Sequence, residues 1–398
     1  MHQRAWLSIL TFPLVAAFTY PMVFKQAPAA ASENRQAYQD PLAGLSDIQD
    51  VLSLVRDNYV DAPDMEKVIS GGVEAVLERA HPLNAYLTPE ELRQADPGPA
   101  QVGLVLLKRD IVARVMVVMP GSPAAKAGLQ PGDIIRKLDG QSVGNFTAWS
   151  LDQKLRGPVG SSLELLDWMA SNGQVKKVTL QRELPQRIAI GLRTTPKAAL
   201  LTVPDLQVGR AAEMRALLTG LDHKLPLVLD LRGCNGGDID EAAAVAGLLG
   251  KAGAFATLQE TGKPDRALNA VSANVPGFDK LAVLAGAGTM GAGEALASFL
   301  KKQSVVTVGE RTAALGVQRT RILLKQGGAV ELVNRRWLGA GGEKLDRQGV
   351  APDYSLRGLQ PDEDPLPKVL DALEAKNKPA KTDKIAWFGP LGRALEIA

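Results

Sequence analysis

A chain of 398 residues, 45% of them apolar, is long enough for two or three domains with real cores. Its formal net charge of +3 is close to balance, and no Lys/Arg block with interleaved aromatics occurs, which argues against nucleic acid as a partner. The three histidines, His2, His81 and His223, lie far apart with no further His, Cys or acid at ligand spacing, so no metal and no other cofactor is expected and a Ser-His-Asp triad is disfavoured.

His2 and Arg4 make a short basic start, Trp6 to Phe24 runs without a charge, and Ala27 to Ala31 supplies small residues. Residues 1–31 therefore read as a cleaved signal peptide or as a retained membrane anchor. Either one places the rest of the chain outside the cytoplasm, in the periplasm or cell envelope, and the second adds membrane association. Residues 41–95 follow a helical pattern. Leu45, Ile48, Val51, Leu52 and Val55 recur at three- and four-residue spacing, and Met65 to Arg79 repeats the stripe. Thr88, Pro89 and Glu91 form the signature of a capped helix start.

Residues 98–184 change character. Val102 to Leu106 and Val112 to Met119 read as strands, and Gly121 to Ile135 supplies a turn, a short helix and a further strand. This succession resembles the PDZ domain. The resemblance implies strand addition, in which an open sheet edge and a backbone loop accept an extended peptide and its terminal carboxylate. It places the peptide-binding loop at Val102, Gly103, Leu104 and Val105, and a bulky residue at Gly103 is expected to block binding without unfolding the domain. A module used only for packing is the alternative.

Residues 185–360 alternate strands and helices. Leu225 to Asp230 is a buried strand running into Leu231-Arg-Gly-Cys-Asn-Gly-Gly237, followed by a helix from Glu241 to Leu249. Leu281 to Leu284 runs into Gly286-Ala-Gly-Thr-Met-Gly-Ala-Gly-Glu294 and a helix to Lys302, and Val305 to Val308 is a third strand. This is α/β layering, whose sites gather at the C-terminal ends of the strands. Residues 361–398 close the chain with a helix and a lysine-bearing tail to which no role is assigned.

Taken together these segments resemble the carboxyl-terminal processing, or tail-specific, serine peptidases. The helical region, the PDZ module, the Asp230-Leu-Arg-Gly233 strand and turn, Gly349-Val-Ala-Pro-Asp-Tyr-Ser-Leu356 and Asp362 to Lys376 all match. The implied fold class is multi-domain α/β, with an N-terminal helical region, a PDZ domain and a peptidase-like core. In the family the nucleophile segment reads roughly Ser-Ala-Ser-Ala-Ser-Glu. Anchored on Glu294, its middle serine falls on Gly291. The family's lysine base falls on Leu315 when counted from Thr312 and on Ala314 when counted back from Gln318, the third member of the catalytic set.

A Ser-Lys dyad needs a hydroxyl and a neutral amine, and neither position supplies one. By resemblance, Gly233 and the amide of Ala292 form the oxyanion hole. Thr289, Ser298 and Cys234 are the nearest substitutes for the nucleophile, with Cys234 open to an inert or a reactive reading. Lys301 and Lys302 are expected to serve the helix C-terminal carbonyls. The resulting reading is a pseudopeptidase that binds C-terminal tails as a scaffold or regulator, with an active homologous protease as a further candidate partner. The alternatives are an active serine-type endopeptidase with a displaced nucleophile and a purely structural envelope protein.

Overall fold

The computed structural model describes residues 44–94, 96–170, 173–273, 277–356 and 363–375. The segments expected as a signal peptide or anchor, and the tail from Lys376, lie outside the described residues. Among the described residues no helix is long and apolar enough to cross a membrane. The chain divides into two units, residues 1–69 and 70–398, the boundary falling inside a helix.

Helices α1 (Leu45–Asn58) and α2 (Met65–Ala80) follow the apolar stripes, and neither contains a fully buried residue. The helical pattern expected through residue 95 is interrupted by strand β1 (Ala85–Leu87), in which Ala85 and Leu87 are buried and Tyr86 is not. That period of two marks a strand. Helix α3 (Pro89–Arg93) follows, and the capping box is present: Glu91 N donates to Thr88 Oγ1 (3.2 Å) and Thr88 N to Glu91 Oε2 (2.9 Å).

The next module comprises β2 (Ala100–Gln101), β3 (Leu104–Arg109), β4 (Val112–Val118), α4 (Pro123–Lys126), β5 (Ile134–Ile135), β6 (Lys137–Leu138) and β7 (Gln141–Ser142), then α5 (Ala148–Leu155), β8 (Arg156–Gly157), β9 (Ser162–Met169) and β10 (Val175–Gln181). Its main sheet has the order β3-β4-β5-β9-β6-β7, with β10 also on β9. Alternate side chains bury Leu104, Val115, Ile135, Leu163 and Leu165 against Leu151 and Leu155 of α5. Asp133, almost fully buried, is satisfied by Trp168 Nε1 (2.8 Å) and Gln130 N (2.9 Å). Among the described residues strand β3 is an edge strand, bonded to β4 alone. The β3–β4 register shifts between Val105 and Leu106, leaving Met116 as the extra residue of a bulge.

The remainder contains β11 (Gly191–Thr194), β12 (Ala199–Thr202), α6 (Arg210–Leu218), β13 (Leu227–Asp230), α7 (Ile239–Leu248), β14 (Gly253–Glu260) and β15 (Arg266–Ala270), followed by β16 (Leu281–Ala285), α8 (Ala292–Lys302), β17 (Val306–Gly309), β18 (Val317–Leu323), β19 (Ala329–Leu338), β20 (Tyr354–Ser355) and α9 (Leu366–Ala375). Strands β12, β13, β16, β17 and β20 run parallel, with β11 antiparallel at the edge. The central strands β13, β16 and β17 are mostly apolar because both of their faces are covered. Leu227, Leu229, Leu281 and Val283 pack with α7 and α8, whereas Val228, Ala282, Leu284, Val306 and Val308 pack on α9. A second sheet, β1-β19-β14-β15 with β18 on the free side of β19, was not anticipated from the sequence.

Leu229 is completely buried in the central strand. Leu229→Ala should cost about 3 kcal/mol in urea unfolding, against less than about 0.5 kcal/mol for Val208→Ala, where the side chain is exposed.

Candidate functional site

Three turns leave the C-terminal ends of β13, β16 and β17, where sites form in a parallel α/β sheet. The first turn is fixed by its own strand. Arg232 donates to Asp230 Oδ1 from N and Nε (3.0 Å each) and to Oδ2 from Nη2 (2.8 Å). The second is tied to the first: Met290 N donates to Cys234 O (2.9 Å), and Thr289 Oγ1 donates to Leu231 O (2.7 Å) while accepting from Gly286 N (3.0 Å). The third is tied to the second by Ala313 N donating to Thr289 O (3.0 Å). Gly288 permits the close approach of these turns, since a Cβ there would stand 2.4 Å from Arg232 O.

Gly291 occupies the sharp corner between β16 and α8, at φ 53° and ψ −114°. L-residues rarely adopt this conformation, and the cost for one is on the order of 1–3 kcal/mol. It is nevertheless the strained strand–turn–helix geometry that presents a nucleophile in α/β hydrolases. Room for a side chain exists: a Cβ would meet only Gly236 Cα, at 3.8 Å.

Glu294, in the first turn of α8, is completely buried. Its Oε1 accepts from Thr312 Oγ1 (2.6 Å) and Ala314 N (2.8 Å), and its Oε2 from Leu315 N (2.9 Å) and Gly291 N (3.2 Å). Gly291 and Leu315 therefore share one acceptor oxygen. Both candidates for the lysine position, Ala314 and Leu315, are thus held through their N–H groups on the same carboxyl group as Gly291. Ala314 bonds the other oxygen and takes a left-handed φ of 62°. The Leu315 side chain joins an apolar cluster with Met290, Ala313, Leu107, Met116 and Val117. The β3–β4 face of the PDZ-like module is thus seated on the turn that carries Gly291.

The other expected residues separate into two groups. The N–H groups of Gly233 and Ala292 have no acceptor among the described residues. Gly233 is exposed and lines a cleft of about 300 Å3 with Val117, Met119 and Asn235. Gln318 is exposed at the start of β18, and its side chain makes no hydrogen bond among the described residues. The Cys234 thiol is fully enclosed, and burial pushes it up to about 12, which corresponds to an inert group. The Thr289 hydroxyl is consumed by the turn, as described above. Ser298 is buried against Glu343. The expectation for Lys301 is corrected: its Nζ bonds Ala351 O (2.6 Å) and pairs with Asp353 (2.8 Å), outside its own helix.

In the PDZ-like module, Val102, Gly103 and Leu104 are buried and Val105 is half-buried. Gly103 has φ 80°, and a Cβ on it would fall 2.1 Å from Ser122 Cβ. The expectation that a bulky residue there leaves folding intact is therefore withdrawn. Gly103→Ala alone should lower the melting temperature by several degrees in a thermal scan.

Residues 197–356 match peptidase family S41, and residues 114–166 match the PDZ domain. The chain is 24% identical over 324 residues to a probable CtpA-like serine protease of Staphylococcus aureus, a match covering 79% of this chain and 65% of that relative. It therefore spans just under two thirds of that relative's length. It is also 24% identical over 369 residues to the carboxy-terminal-processing protease of Bartonella bacilliformis, covering 90% of this chain and 83% of that one. Among solved structures, its fold is similar to the photosystem II D1 C-terminal processing protease, with TM-score 0.61 and 22% identity, over 77% of this chain and 92% of the other. Fold and site together define a PDZ-bearing α/β scaffold of the serine-peptidase type. Residues 197–356 thus carry a peptidase S41 domain, and over most of its length the chain is similar to tail-specific, C-terminal processing proteases.

Burial raises the Glu294 carboxyl from its ordinary 4.5 to about 7, against four hydrogen bonds that favour the anion. The folded state then holds a proton that the unfolded state releases above about 4.5. Stability should fall as pH rises from about 4.5 through about 7 and level off above. Denaturation midpoints measured across that range should show this slope, and Glu294→Gln should flatten it, with a larger loss of stability at pH 4.5 than above pH 7.

Proposed function

We propose that this protein is a catalytically silent member of its family, which binds the C-terminal tails of other proteins as a scaffold or regulator outside the cytoplasm. The observation that carries the reading is Gly291. It stands at the strained corner with space for a side chain and has none, while Leu315, whose N–H shares the Gly291 acceptor on Glu294, has a hydrocarbon side chain, as does Ala314. A Ser-Lys mechanism needs an oxygen to attack and a nitrogen to take its proton. Loss of the nucleophile alone costs on the order of a millionfold in rate in serine peptidases.

The surroundings offer no replacement: Cys234 is enclosed and protonated, and the hydroxyls of Thr289 and Ser298 are engaged. The free N–H groups of Gly233 and Ala292 can still hold a carbonyl oxygen without turning it over. Tail capture is assigned to the open edge of β3, beginning at Gly103, because strand addition supplies backbone hydrogen bonds and the loop receives the carboxylate.

The test is co-elution of the purified chain with an unstructured protein that ends in an apolar tail, the fractions being read by intact mass. Co-elution of full-length substrate, abolished by removing its last residues, is the expected result. Accumulation of shortened substrate, dependent on the protein, would overturn the silent reading. Absence of any complex would overturn tail binding.

A further inference from the structure

The end of β3 runs into an open cleft of about 690 Å3. One wall is Lys108, Arg109 and Asp110 of the PDZ module, and the opposite wall is Ala314 and Leu315, the turn at the lysine position. Arg79 from α2 and Arg347 from the core complete the rim. The edge to which a tail would pair therefore leads directly to the altered catalytic loop.

We infer that this cleft is the second half of the tail-binding site: it receives the segment just upstream of the tail and favours acidic residues there. The inference rests on the assignment of the β3 edge as the tail site. Strand addition antiparallel to β3, with the carboxylate at Gly103, carries the incoming chain from Leu104 toward Arg109. Strand β3 has six residues, so at about 3.4 Å per residue it accommodates about six residues of tail. The seventh and eighth residues from the end then arrive between Arg109 and Leu315.

The charges decide what the cleft prefers. Lys108 Nζ lies 3.3 Å from Glu78 Oε1, and Asp346 Oδ1 lies 3.1 Å from His81 Nε2. Arg347 Nη2 donates to Ala80 O (2.7 Å). The exposed guanidinium groups of Arg79 and Arg109 have no partner among the described residues, against one such carboxylate, Asp110. The cations Arg79, Lys108, Arg109 and Arg347 outnumber the carboxylates Glu78, Asp110 and Asp346 along the cleft, and the excess favours a negatively charged segment. Leu315, where the family has a base, contributes an apolar wall to the same channel.

Three fluorescein-labelled peptides, all ending Ala-Leu-Val-Ala with a free carboxylate, test this by anisotropy with the full chain. One is the tetrapeptide. The others are decapeptides with glutamate or with serine at the seventh and eighth residues from the end. The glutamate decapeptide should bind about fivefold tighter than the serine one, with the advantage shrinking as salt rises. The double variant Arg79→Ala, Arg109→Ala should erase that advantage and leave the tetrapeptide Kd within about twofold. Both side chains are exposed, so the variant keeps its fold. Equal affinity for the two decapeptides overturns the inference, as does an advantage that survives in the double variant, while tetrapeptide binding would still uphold the β3 edge as the tail site. If none of the three binds, the tail-site assignment fails and this inference fails with it.

Discussion

The carboxyl group of Glu294 is the constraint on which the rest of the site depends. It reaches from the first turn of α8 to the loop after β17 and back to the corner at Gly291. Four donors and the N-terminus of α8 favour its anion, while complete burial opposes it, and the balance raises the carboxyl to about 7. None of these contacts needs a serine at residue 291 or a lysine at residue 315. The reactive geometry of the scaffold is thus imposed by a residue that takes no part in a Ser-Lys mechanism, so it can persist where the chemistry is absent.

The seating of the PDZ domain follows from the same turn. The bulge in β4 pushes Met116 toward the core, and its carbonyl comes within 2.9 Å of where a Cβ on Gly288 would lie. Leu107, Met116 and Val117 then close over Met290 and Ala313, and Leu315 fills the flank of that cluster. A lysine in its place would bring an ammonium group into an apolar cluster, at a desolvation cost unless a partner were supplied. A hydrocarbon side chain at residue 315 suits this contact, and it suits the channel leading from β3.

The parallel sheet was legible in the sequence because β13, β16 and β17 are buried on both faces and read as mostly apolar runs. The capping box at Thr88 and the glycine corner at residue 291 were legible for equally local reasons. The second sheet was not. Strand β18 reads Val-Gln-Arg-Thr-Arg-Ile-Leu and is largely solvated, so no apolar alternation announces it. Strand β1 finds its partner only far along the chain, where Ala85, Tyr86 and Leu87 pair with Glu331, Val330 and Ala329. The one-residue ambiguity between Ala314 and Leu315 could not be resolved by counting in a shortened loop, and both residues bond the Glu294 carboxyl through their N–H groups. The close approach of Gly103 to Ser122, the pairing of His81 with Asp346 and the buried Arg210, held by Asp205 and Glu213, are likewise contacts between distant segments or enclosed side chains that one-dimensional patterns do not encode.

The central claim is that no group at the strand ends can act as a nucleophile. The direct measurement is intact mass of the natural chain after prolonged treatment with a peptide-linked fluorophosphonate, beside a Gly291→Ser, Leu315→Lys variant and an active member of the family. The account predicts labelling of the active relative and an unchanged mass for the natural chain. A stoichiometric adduct on the natural chain, mapped to Cys234, Thr289 or Ser298, would contradict it.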